Sequence, residues 1–162
     1  MESERTFFIT SNTYQRHPIF RYEEKAKLFL EVLYHYREQK KYLLHEYVIM
    51  PDHVHALITP AAELSLERAV QFIKGGFSYR VGKGVTVWQA SFTNHRIRDL
   101  DDYHQHRTYI HRNPVRARLA ASASEFLYSS ANAACTLDPA PPGLKPSHSS
   151  PDAVLNRLCH NL

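Results

Sequence analysis

The feature that most constrains this chain is a pair of apolar runs set back to back around Pro51-Asp52. Tyr42 to Met50 and His53 to Thr59 have the composition of strands, and the Pro-Asp step marks a tight turn. Together they read as a hairpin. The stretch VIMPDHVHALI sets His53 and His55 one residue apart. Strand alternation puts both on one face with Leu57, and Val54, Ala56 and Ile58 on the other, where a helical layer buries them. Two imidazoles side by side on a rigid strand are half of a divalent-metal site. An isolated His-x-His in an apolar strand is more often structural, so the rest of the chain decides.

The flanking pattern supplies a frame. Arg5 to Thr13 reads as a first strand. From Glu23 to Gln39, Ala26, Phe29, Leu30, Leu33 and Tyr36 recur at helical steps, with charged residues off that stripe. Ser65 suits the N-cap of a second helix with Leu66, Ala69, Val70 and Ile73 buried. Gly75-Gly76 is expected to end that helix or to admit another backbone, leaving Phe77 to Gly84 as a basic link. Val85 to Ile97 reads as a fourth strand. Asp99 to Asn113 reads as a third helix with acidic residues at its start, stopping before Pro114. The order is that of an α+β, ferredoxin-like βαββαβ sheet with an added C-terminal helix. Two helices cover one face, and the histidines stand on the open one. Residues 1–134 form this domain. Residues 135–162 read as a Pro/Ser-rich flexible tail, a linker over Asp138 to Pro151 followed by a short helix carrying Val154, Leu155 and Leu158.

Composition narrows the class. The 162 residues suffice for one domain with a core, and a net charge of +4 leans mildly toward polyanionic partners. Cys135 and Cys159 are the only cysteines and lack metal-site spacing, which argues against a disulfide framework and a thiolate zinc site. No apolar run approaches the about 20 residues of a membrane span, and the apolar run near the N-terminus is too short for a signal peptide. A soluble protein of a reducing cytoplasm is expected. Eleven histidines are the unusual feature.

The second half of the site lies in YIHRNP. Tyr109 and Asn113 are four residues apart and share a helix face. They offer a nucleophile and an oxygen ligand together. Two imidazoles and an amide are all neutral, so a bound Mg²⁺ or Mn²⁺ keeps its full charge to polarise a phosphodiester. Tyr103 competes as nucleophile, but Arg107 rather than Asn or Gln follows it by four. His104, His106 and His111 individually read as solvated or packed. His111 lies roughly 200° around the helix from Tyr109 and should point away. Arg16, Lys74, Arg80, Lys83, Arg96, Arg98, Arg112 and Arg116 are candidate contacts to a nucleic-acid backbone. Trp88 and Phe92 are candidates either for stacking on unpaired bases or for the core.

PDHVH, FIKGG, VWQASF with Arg96 and Arg98, and YIHRNPVRA occur in this order. In them the chain resembles the HUH single-tyrosine transposases, most closely the REP-associated tyrosine transposases, over roughly Phe7 to Leu119. The resemblance implies that His53 and His55 are the metal pair, Tyr109 the catalytic tyrosine and Asn113 the third ligand. It implies cleavage and rejoining of single-stranded, hairpin-bearing REP-like DNA through a 5′-phosphotyrosine. It further implies action on chromosomal DNA in the bacterial cytoplasm, nucleoid-associated, with a monomer expected over a homodimer. The alternative is a domesticated protein that only binds hairpin nucleic acid. Relatives usually follow NPVRA with Gly-Leu, whereas this chain has Arg118-Leu119, which changes how the helix ends.

Overall fold

A computed structural model describes residues 5–132 and 136–146. Four strands, β1 (Phe7–Asn12), β2 (Tyr42–Met50), β3 (His53–Pro60) and β4 (Thr93–Arg96), form one antiparallel sheet in the order β2-β3-β1-β4. Helices α1 (Glu23–Glu38) and α2 (Leu66–Val81) connect them, and α3 (Leu100–Arg116) follows β4. This is the expected βαββαβ arrangement with an added helix. No helix among the described residues is long and apolar enough to cross a membrane.

Alternation along the hairpin creates two cores, one on each face. Val54, Ala56 and Ile58 of β3 join Tyr47 and Ile49 of β2 against Phe29 and Leu33 of α1 and Val70, Ile73 and Phe77 of α2. On the other face Leu57, Val48 and Met50 pack with Ile97, Tyr103 and Ile110 beneath α3. A bulge between Leu44 and Glu46 shifts the β2–β3 register. Leu44 pairs with Ile58 but Glu46 with Leu57, so the extra residue turns Glu46 onto the α3 side.

Several expectations are corrected by packing. The fourth strand is confined to Thr93–Arg96 rather than Val85 to Ile97. Upstream, only isolated contacts extend β1, among them the Thr13–Trp88 bridge. The Gln89 and Ser91 carbonyls turn to the Lys74 ammonium instead of a strand. Trp88 is buried among Phe20, Phe29 and Phe77, with its indole N–H on the Lys74 carbonyl. It therefore belongs to the core and offers no stacking face to bases, and Phe92 packs against the same cluster.

Helix α2 runs through Gly75-Gly76 to Val81, so most of the expected link is helical. A Cβ on Gly76 would lie 2.6 Å from Cε2 of Tyr36, so this glycine admits an aromatic ring rather than a backbone. Helix α3 also overruns its expected end and contains Pro114, at the cost of one hydrogen bond in its last turn.

The start of the expected linker is docked. Asp138 accepts two bonds from the Arg37 guanidinium at 2.9 and 3.0 Å and one from the Leu44 amide. The Leu100 amide donates to the Lys145 carbonyl, and Leu144 packs against the core under α3. Residues 128–130 bond the free edge of β2 at Tyr47 and Ile49, so that edge is covered. The terminal helix expected over Asp152 to Leu162 lies outside the described residues.

Candidate active site

The antiparallel register of β1 against β3 sets Thr10 opposite His55 and Asn12 opposite His53. Thr10 Oγ1 lies 2.7 Å from His55 Nδ1. His53 Nδ1 lies 2.7 Å from Asp52 Oδ1 in the turn before it. Arg16 ties the edge together, donating to Asp52 Oδ2 at 3.1 Å and to Asn12 Oδ1 at 2.7 Å. Both imidazoles are thus engaged through Nδ1. The two rings meet edge to face, with centroids 4.8 Å apart.

His55 is only 5% exposed, and its Nε2 is buried without a hydrogen-bond partner. Burial pushes its pKa down to about 3, helped by His53 and the Arg16 charge, so the ring is neutral near pH 7. Burial would raise the Asp52 carboxyl, but the His53 bond and the Arg16 guanidinium outweigh it and hold the carboxyl below its ordinary value. A neutral imidazole fixed by Nδ1 and carrying an unpaired Nε2 is how a histidine ligand is presented to a metal. The donor set fits a divalent cation.

Tyr109 comes from the opposite layer. Its ring stands edge-on to His55 at 5.3 Å and to Phe8 at 5.9 Å, and it is 42% exposed. Asn113, one turn later, is half-buried. Tyr103 is buried, and burial followed by the Glu46 charge raises its phenol far above the ordinary value. A tyrosine so enclosed cannot meet a strand of DNA.

Glu46 sets the roll of α3. From the β2 bulge its buried carboxylate accepts from Arg107 Nε at 2.8 Å and lies 2.9 Å from His111 Nε2, and Ser130 donates a short hydrogen bond to it. Burial would raise this carboxyl, but the His111, Ser130 and Arg107 bonds together keep it below the ordinary range. Arg107 and His111 share one helix face, so gripping them turns Tyr109 away from Glu46. His111 points away from Tyr109, as its position around the helix predicts.

The basic candidates divide. Arg16 lies at the site, and Arg112 and Arg116 are exposed on α3. Arg96 and Arg98 are exposed beside the start of that helix, and Lys83 is exposed after α2. Lys74 instead braces the loop before β4, and Arg80 pairs with Glu31 across α1 and α2, on the far side of the sheet. Spacing did not reveal Thr10, Asp52, Phe8 or Glu46. Glu46 alone carried a signal, as the one acid in an apolar strand.

The model of the family described as "Transposase IS200 like" matches residues 6–113, from β1 through Asn113 of α3. The chain belongs to this family of transposases. Within it, the REP-associated tyrosine transposase of Escherichia coli K12 is 28% identical over 94 residues, 57% of this chain and 56% of that protein. The aligned region thus spans little more than half of that relative. A solved REP-associated tyrosine transposase bound to a REP hairpin superposes with a TM-score of 0.70 at 23% identity, over 91% of this chain and 92% of that one. A structure described as a transposase of Deinococcus radiodurans R1 gives 0.52 at 21% identity, over 65% and 87%. These two likenesses establish the fold.

Proposed function

We propose that the protein cleaves and rejoins single-stranded DNA bearing REP-like hairpins, with Tyr109 as nucleophile. The observation that carries this reading is the Tyr109 ring standing edge-on to His55, whose buried Nε2 has no partner. His53, His55 and Asn113 would hold Mg²⁺ or Mn²⁺, which when bound supplies positive charge to the scissile phosphate. Thr10 and Asp52 orient the two imidazoles, and Glu46 orients the helix. The Tyr109 phenol loses its proton and its oxygen attacks phosphorus. The bond from phosphorus to the 3′ oxygen breaks, and that oxygen takes up a proton from solvent, balancing the one the phenol released, and leaves as a 3′-hydroxyl. The product is a 5′-phosphotyrosine, which an incoming 3′-hydroxyl can reverse, so strands are joined without an external energy source.

Arg16, Arg112 and Arg116 are exposed near this site and suit contacts to phosphates. Tyr109 meets His55 within one chain, which supports action as a monomer. A bacterial cytoplasm, where chromosomal DNA is the substrate, fits this chemistry.

The test is incubation with end-labelled hairpin DNA and Mn²⁺ or Mg²⁺, followed by denaturing electrophoresis. A covalent protein–DNA adduct is expected, absent in Tyr109→Phe while that variant still retards the hairpin. An adduct that persists in Tyr109→Phe overturns the assignment. Hairpin binding with no adduct from the unaltered protein would show the binding-only alternative.

A further inference from the structure

A second cluster of ligand-type side chains lies at the start of α3, outside the site described above. His95 stands opposite Phe8 in the β1–β4 register. Asp102 and His106 are one turn apart on α3. One nitrogen from each ring and one carboxylate oxygen all lie within 4.8 Å of one another. His95 Nε2 is 2.7 Å from Asp102 Oδ2, and His106 Nδ1 is 3.2 Å from Oδ1. Ligands at about 2.0–2.2 Å from a tetrahedral ion place their donor atoms roughly 3.3 Å apart. Both His–Asp pairs already lie at or inside that spacing, so closing around one ion asks the rings to turn rather than to travel far. Asp102, 5% exposed, is the buried anion at its centre.

We propose that His95, Asp102 and His106 form a second metal site, suited to Zn²⁺, that fastens β4 to the first turns of α3. Two imidazoles and one carboxylate favour zinc over Mg²⁺, with water completing the coordination. The proposal does not depend on the DNA chemistry assigned to Tyr109. Three adjustments accompany binding. His106 Nδ1, 2.8 Å from the Asp102 backbone carbonyl, gives up that contact to turn its lone pair to the ion, while the Arg98 amide keeps its bond to Asp102 Oδ2 at 3.0 Å. The His95 and His106 rings are stacked, 4.7 Å apart and inclined by 17°, so their in-plane lone pairs do not converge. His95, with its side chain 39% exposed at the sheet edge, is the ring able to turn. The Arg98 side chain lies 3.5 Å from Asp102 and is 76% exposed, so it can swing into solvent and relieve the charge opposition.

The site borders the first one without sharing a ligand. The Phe8 ring lies 4.7 Å from His106 and 5.1 Å from His55, and it also meets Tyr109. Ordering His106 therefore stiffens one wall beside the tyrosine.

The experiment uses metal-stripped full-length protein carrying His53→Ala and His55→Ala, so that the first site is silent. Zn²⁺ is added, and binding is read by calorimetry and by metal content after gel filtration. One zinc per chain and a higher Tm are expected. His95→Gln and His106→Gln, each checked for fold by circular dichroism, should each weaken binding by more than tenfold. A Co²⁺ spectrum of tetrahedral intensity would support the same geometry. The proposal is overturned if the His53/His55 variant binds no zinc, or if its zinc is undiminished by both glutamine substitutions.

Discussion

At the scale of the residue, the two histidines differ in kind. His53 stands beside the Asp52 carboxylate, whereas His55 is enclosed, held by Thr10 on one nitrogen and unpaired on the other. The His-x-His spacing, Tyr109 and Asn113 were legible because strand and helix periods are local properties of the chain. Thr10 was not, since its contact depends on how β1 registers against β3, 45 residues away. Thr10→Val keeps the shape and deletes the bond to Nδ1. Loss of such an orienting partner typically weakens metal affinity by about 10–100-fold. Mn²⁺ titration of the variant should show that drop with the fold intact, and an unchanged affinity would remove Thr10 from the site.

Among the elements, α3 matters most, and its two ends obey different rules. Its start was readable, because Asp99 caps the amide of Asp102 at 2.8 Å and acidic residues fill the first turn. Its end was not. Pro114 sits inside, and the helix closes with Arg118 N–H on the Val115 carbonyl and Leu119 N–H on the Pro114 carbonyl. That closure puts Arg118 at φ 60°, so an arginine occupies a left-handed position that favours glycine. Arg118→Gly removes the Cβ conflict but frees the unfolded chain. The balance should favour the variant by about 0.5–1 kcal/mol, readable as a higher urea midpoint at constant slope. The β2 bulge was also invisible in the sequence, and it is what delivers Glu46 beneath this helix.

On the scale of the whole molecule, residues 136–146 extend the cover of the β2 edge from residues 128–130 to Leu44, through Asp138, and rest on the start of α3. His45, the bulged residue, is enclosed between Thr59 Oγ1 at 2.8 Å and the Pro139 carbonyl at 2.9 Å. Burial is the leading cause lowering its pKa, against the carbonyl bonds that would raise it. The unfolded chain therefore takes up this proton first as pH falls below about 6.5. More protons bound in the unfolded state mean stability that is present above that value and lost progressively beneath it. His55, depressed to about 3, contributes with the same sign. Urea unfolding at pH 5.0 should thus show less stability than at pH 7.5, and His45→Asn should flatten the difference. Equal slopes in variant and parent would discount His45.

The sequence by itself determined the hairpin, the order of strands and helices, and the residue types of the candidate site, because periodicity, turn chemistry and motif spacing act within a few residues. Only the tertiary structure decided that Trp88 is core and that Lys74 braces a loop. The same holds for the paths of α2 and α3 through Gly75-Gly76 and Pro114, and for the docking of Asp138 on Arg37. Each of these depends on what a side chain meets from a distant part of the chain. The facing of Tyr109 and His55 is the sharpest case. Strand alternation aims the histidine, but the buried Glu46 carboxylate, through Arg107 and His111, turns the helix that aims the tyrosine.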